Sequence, residues 1–149
     1  MSSPNDENSQ AEFAAALEEL FWAVLRASGR GVPGGDTELT LSQYRVLSAL
    51  GERPATVTEI AGVADVAVPT ATRALRSLEQ RGFVERRRNA GRDGRLVTVA
   101  LTTPGSEVLA EKTDWVRARQ RAIFDGLTGA QRRTAAQTLR AIAEDIHEL

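Results

Sequence analysis

TVTEIAGVADVAVPTATRALRSLEQRG, from Thr56 to Gly82, and FVERRRNAGRDGRLVTVAL, from Phe83 to Leu101, decide the fold. Thr56-Val57-Thr58-Glu59 has capping-box spacing: the hydroxyl and the carboxylate satisfy backbone N–H groups that the first helical turn leaves open. It predicts a short helix to about Ala64, with Ile60, Ala61 and Val63 inward. Asp65 and Val66 form a tight turn. A second helix follows, from about Val68 to Arg81, with Pro69 in its first turn, where an N–H has no helical partner. Ala71, Leu75 and Leu78 share one face of it. Thr70, Arg73, Arg76, Ser77 and Gln80 share the other, and Gly82 stops it. The period then changes. Phe83–Arg88 reads as a strand, Asn89–Gly94 as a turn-rich tip, and Arg95–Leu101 as an alternating strand, which makes a two-stranded hairpin.

Two short helices joined by a tight turn and followed by a basic hairpin describe a winged helix-turn-helix. Working outward, Thr40-Leu41-Ser42-Gln43 is another capping box, opening a helix with Tyr44, Leu47 and Leu50 as its apolar stripe. Before it, Gly29–Asp36 (GRGVPGGD) reads as a flexible loop. A first helix spans about Ala11 to Ser28, with Phe13, Leu17, Leu20, Phe21, Val24 and Leu25 at helical spacing. Residues 1–10 read as a flexible polar tail with no apolar leader segment. On the other side, a long helix runs from about Pro104 to Asp125. Thr128-Gly129-Ala130-Gln131 then caps a last helix to about Glu148, with Ala135, Leu139, Ile142 and Ile146 on one face. The expected class is mainly α with a small β-hairpin: a flexible tail, then one domain over 11–149. Within it, 40–101 form the winged lobe, and 11–36 and 104–149 supply the remaining helices.

Composition narrows the function. The 149 residues are 42% hydrophobic and 26% charged, enough apolar residue for a real core. There is no cysteine, which excludes disulfides, thiolate metal sites and thiol nucleophiles, and the single histidine is His147. No cofactor, metal site or catalytic arrangement is expected, so the chain does not read as an enzyme. No run approaches the ~20 apolar residues of a membrane span, and a cytoplasmic protein is expected. The net charge of −1 conceals an asymmetry: residues 1–65 carry −6, residues 66–96 carry +5, and residues 97–149 are neutral. A basic block in an acidic chain points to a localised polyanion contact.

The helix from Val68 has the length of a major-groove reader. Its Arg73 and Arg76 can bond guanine edges or phosphates, and Thr70 a thymine methyl or a phosphate. Arg86, Arg87 and Arg88 alternate faces along a strand, so at most two face DNA together; Arg86 and Arg88 share a side. Arg92 and Arg95, on a thin glycine-rich tip, suit a narrow minor groove. Asp93 lies between them and is assigned to holding the wing by pairing with an arginine.

Leu39–Gly105 resembles the MarR family of bacterial transcription regulators. The matching residues include Leu39-Thr40-Leu41-Ser42-Gln43-Tyr44-Arg45-Val46-Leu47, Glu59-Ile60-Ala61, Pro69-Thr70-Ala71-Thr72-Arg73 and Leu78–Arg86. The most specific part is Asp93-Gly94-Arg95, followed by Leu101-Thr102 and Gly105. The resemblance adds Pro69 and Thr72 to the expected DNA contacts. It implies a homodimer built from the first and last two helices, two wings on a pseudo-palindromic duplex, and a repressor released by a small aromatic or anionic ligand. Candidate ligand residues are Trp22, Tyr44, Trp115 and Arg119, on helices that meet between arm and lobe in the family; packing in a dimer core is the plainer role for both tryptophans. Ala67 stands where the family often caps the recognition helix with Ser or Asp, and Gly94 replaces a frequent wing arginine. Other readings of the same residues are a regulator without a ligand, an activator, or a protein-interaction module that uses the fold without DNA.

Overall fold

The computed structural model describes residues 4–51, 53–88 and 96–147. Its elements are α1 (Pro4–Gly29), α2 (Leu41–Leu50), α3 (Val57–Ala64), α4 (Val68–Gln80), β1 (Val84–Arg88), β2 (Val97–Leu101), α5 (Thr103–Gly126) and α6 (Gly129–His147). Two compact units divide the chain, Met1–Lys112 and Thr113–Leu149.

The first unit is built on α2, α3, α4 and the hairpin. All three helices use the local chemistry read from the sequence. Thr40 caps α2 and Thr56 caps α3, each through a complete capping box. The α3–α4 turn bends at Asp65, whose φ of 50° is left-handed; a short polar side chain tolerates this conformation better than most. At the far end of α4, Gly82 has φ 76°. Its N–H donates to the Glu79 carbonyl and the N–H of Phe83 to that of Leu78. This is a Schellman closure, and it needs a residue comfortable at positive φ.

The core forms where the apolar faces meet. Leu39, Val46, Leu47, Leu50, Ile60, Ala61, Ala64, Ala71, Leu75, Leu78, Val84 and Val99 are buried together. Val63, expected inward, is 73% exposed. The buried positions of α3 are Ile60, Ala61 and Ala64. That is a helical stripe which Val63 falls outside.

β1 and β2 pair antiparallel, from Val84 opposite Leu101 to Arg88 opposite Val97. Strict alternation fails in β2, where Thr98, Val99 and Ala100 are all buried. β2 is not an edge: Val99 exchanges two backbone hydrogen bonds with Ala55 on its other side, at 3.0 and 2.8 Å. After β2, Thr102 stitches the start of α5 to the end of the recognition segment. Its hydroxyl donates to the Gly82 carbonyl at 2.6 Å and its N–H to that of Phe83 at 3.1 Å. Gly105 follows because nothing larger fits: a Cβ there would lie 1.9 Å from the Phe83 carbonyl oxygen.

Two expectations about the start of the chain change. Residues 4–10, read as flexible tail, are helical. Proline suits a first helical turn, and Asp6 places an acid where the helix dipole favours one. The loop before α2 is tethered rather than free. Val32 bridges Leu39 through a 2.7 Å N–H···O bond, and the Lys112 ammonium donates to the Gly34 carbonyl. Lys112 is only 1% exposed. Burial lowers its pKa below the ordinary 10.5, with Glu111 and Glu38 opposing that shift and Arg81 adding to it.

In the second unit, Thr128 and Gln131 form the capping box expected for α6. Arg132 closes the end of α5: it donates to the carbonyls of Phe124 and Asp125 at 3.0 and 2.8 Å. Its guanidinium lies 4.8 Å from the Phe124 ring centroid. Helical partners run out at that turn, and the arginine adds to the Leu127 N–H, which donates to the Phe124 carbonyl at 3.1 Å. No residue described in this unit is buried.

Candidate nucleic-acid interface

α4 holds its buried and exposed residues on opposite faces. Ala71, Ala74, Leu75 and Leu78 are buried. Pro69, Arg73 and Arg76 are exposed, and Thr70 and Thr72 half-buried. The hydroxyl of Thr72 donates back to the Val68 carbonyl at 2.9 Å, which leaves its methyl and the oxygen's lone pairs to offer. Val68 is 44% exposed at the helix start. No side chain caps that start, since Ala67 is the N-cap residue. The uncapped turn keeps its positive end of the dipole open.

The wing strand divides its charges. Arg86 pairs with Glu79 of α4 at 3.1 Å, and Arg87 with its neighbour Glu85 at 2.6 Å. Both pairs are solvent-exposed and therefore weak, of the order of 0.2–1 kcal/mol. Among the described residues no ion pair engages Arg73, Arg76 or Arg88. Among the described residues, the face therefore carries positive charge without an ion-pair partner. Arg92, Asp93 and Arg95 lie outside the described residues.

Ser77, placed by the sequence among the outward residues, is half-buried and accepts a hydrogen bond from the Gln43 side chain at 3.0 Å. Gln43 was visible from sequence only as a capping residue. Its second role depends on α2 and α4 packing together, which no local signal reports.

The ligand candidates are divided between the two units, Trp22 and Tyr44 in the first and Trp115 and Arg119 in the second. Trp22 is 51% exposed and donates through its ring N–H to Glu18 at 3.4 Å. Tyr44 lines an open cavity of about 310 Å³ together with Arg45, Ser48, Ala49, Val63 and Ala64. Trp115 is 39% exposed, and Arg119 is exposed; both belong to the second unit. Among the described residues no cluster of three or more His, Asp or Glu is arranged to hold a metal ion.

A three-helix lobe whose third helix turns a basic face to solvent, closed by a two-stranded wing, is a winged helix-turn-helix. The MarR family model matches residues 39–97, from the first core leucine to the start of the second wing strand. Solved structures agree on the fold across nearly the whole chain. Lactococcus lactis ZitR, solved in complex with DNA, is similar at TM-score 0.68 and 20% identity, covering 89% of this chain and 97% of that one. Bordetella bronchiseptica BpsR, whose DNA binding is regulated by 6-hydroxynicotinic acid, is similar at TM-score 0.67 and 21% identity, covering 89% and 98%. The MarR family transcription regulator SP03579 is similar at TM-score 0.78 and 18% identity, covering 97% and 94%. No curated protein sequence matches the chain. No described helix is long and apolar enough to cross a membrane.

Proposed function

We propose that this chain is a cytoplasmic, homodimeric transcriptional repressor that binds double-stranded DNA at a pseudo-palindromic site and leaves it when a small aromatic or anionic ligand binds. The observation that carries the reading is the outward face of α4, where Arg73 and Arg76 stand exposed opposite a buried Ala71–Leu75–Leu78 face. On this reading α4 enters the major groove. Thr70, Thr72 and Arg73 lie against base edges, with Pro69 shaping the first turn beside the backbone. Arg76 and Arg88 take phosphates. Arg86 exchanges Glu79 for a phosphate at little cost, since the exposed pair is weak. Arg92 and Arg95 serve the minor groove, with Asp93 holding the wing.

A second copy of the chain covers the apolar side chains that one copy leaves in solvent, among them Phe21, Ile123 and Leu139, each more than half exposed. Two recognition helices then reach successive major grooves about one helical turn apart. An effector acts by favouring a dimer whose spacing does not fit the site. Trp22, Tyr44, Trp115 and Arg119 are its proposed contacts. That BpsR responds to 6-hydroxynicotinic acid supports a hydroxylated aromatic acid as the first ligand to try.

Charge reversal tests the reading. Arg73→Glu with Arg76→Glu abolishes salt-dependent duplex binding if α4 is the reader; unchanged binding defeats it. Titration with 6-hydroxynicotinic acid, followed by tryptophan fluorescence and release of bound duplex, tests the effector.

A further inference from the structure

The apolar face of α4 seats the helix on the core through contacts that have no fixed direction. Ala71 and Ala74 offer only methyl groups to the core beside Leu75 and Leu78, and apolar contact is non-directional. One directional contact is anchored elsewhere. Gln43 sits in the first turn of α2, where its Oε1 accepts the Thr40 N–H at 2.9 Å. The Thr40 hydroxyl in turn accepts the Gln43 N–H at 3.2 Å. That capping box commits the oxygen of the side-chain amide. Its NH₂ group is therefore the end that points away, and it donates to Ser77 Oγ on α4 at 3.0 Å. The orientation follows from chemistry, because only the oxygen can accept from a backbone N–H. Ser77 directly follows Arg76 and lies one helical turn beyond Arg73.

We infer that Gln43 and Ser77 are positioning residues for sequence reading: they set the rotation of α4 about its axis, and so the aim of Thr70, Arg73 and Arg76, without touching nucleic acid themselves. The inference rests on the DNA-binding reading above. A turn of about 10° moves an atom about 6 Å from a helix axis by about 1 Å. That displacement takes a bidentate arginine–guanine contact outside the ~2.7–3.2 Å hydrogen-bond range. It leaves attraction to phosphates nearly intact, since charge interaction decays slowly with distance. Loss of the tie thus lowers selectivity and spares non-specific affinity.

Ser77→Ala removes the tie, keeps the α2 cap and favours the helix, so the variant folds. The probes are a duplex enriched by the unsubstituted protein from a random-sequence pool and a scrambled duplex of equal length. Ser77→Ala is expected to lower the ratio of the two affinities about three- to tenfold, with scrambled-duplex affinity and salt slope unchanged. Ser77→Thr, which keeps a hydroxyl, restores the ratio. In a Gln43→Ala background Ser77→Ala changes it no further. An unchanged ratio in Ser77→Ala overturns the inference. Equal losses on both duplexes, with a shallower salt slope, also overturn it, because Ser77 then touches phosphate. Failure of the unsubstituted protein to enrich any duplex defeats the DNA-binding reading instead, and the inference falls with it.

Discussion

Leu39, Leu47, Ile60, Leu75 and Leu78 are at most 1% exposed, whereas Phe21 on α1, Ile123 on α5 and Leu139 on α6 are each more than half exposed. The two sets are alike in residue type. The first belongs to a lobe that closes its core with its own side chains. The second belongs to helices that leave these side chains in solvent in one copy of the chain. Single scattered apolar residues on a surface need no explanation, but repeated ones along a helix mark an interface. The lobe is thus expected to be stable through its own packing, and the other helices through a partner, which the proposed function makes a second copy.

The largest expected effect is on that partner. Leu139→Glu places a charge on an apolar stripe of α6, and sedimentation equilibrium should show a dimer for the unsubstituted chain and a monomer for the variant. A monomer in both would break the contrast at its outer half. Within the lobe, Gly105→Ala should cost several kcal/mol, of the order of 3, because its Cβ would lie 1.9 Å from the Phe83 carbonyl oxygen. Denaturant unfolding measures it. Gly29→Ala, with nothing within 4 Å of the added Cβ, is the control and should be nearly neutral or slightly stabilising.

Smaller effects sharpen the same contrast. Thr56→Ala should cost about 1 kcal/mol through loss of the α3 cap. Hydrogen bonds from the Thr56 backbone and side chain lower the Glu59 pKa below its ordinary 4.5. A lowered acid stabilises the fold above its unfolded pKa, and that contribution disappears as pH falls through the folded value. Thr56→Ala keeps the backbone N–H and removes the hydroxyl, so the acid limb of a pH–stability curve should flatten in part. Lys112 acts in the opposite range. Its pKa is lowered by burial, so above that folded value the unfolded chain binds more protons, and stability should rise with pH towards 10.5. With no other lysine in the sequence, the rise should vanish in Lys112→Met. This is the gentlest of the effects and the cleanest to assign.

Much of this was legible because it is local. Thr40, Thr56 and Thr128 announce helix starts through residues three positions away, and Gly82 announces a helix end. The period change after Phe83 marks the wing. What local pattern does not carry is long-range contact. Ser77 sits on the outward face by periodicity but is claimed by Gln43 of α2. Val63 looks inward by residue type but lies off the stripe that α3 buries. β2 loses its alternation because Ala55 closes its second edge. The glycine-rich loop looks free until Lys112, far along the chain, reaches Gly34. On the interface itself, the sequence indicated Arg73 and Arg76, and the structure places both on the exposed face of α4. The ion pair that occupies Arg86 depends on how α4 meets β1, which no spacing reveals.

The most direct test of the central claim is fluorescence anisotropy of the enriched duplex and its scrambled counterpart with purified protein, across a salt series. The account predicts two chains per duplex, selective binding to the enriched sequence, and affinity that falls steeply as salt rises. Binding that is weak and equal on both duplexes at low salt would contradict it.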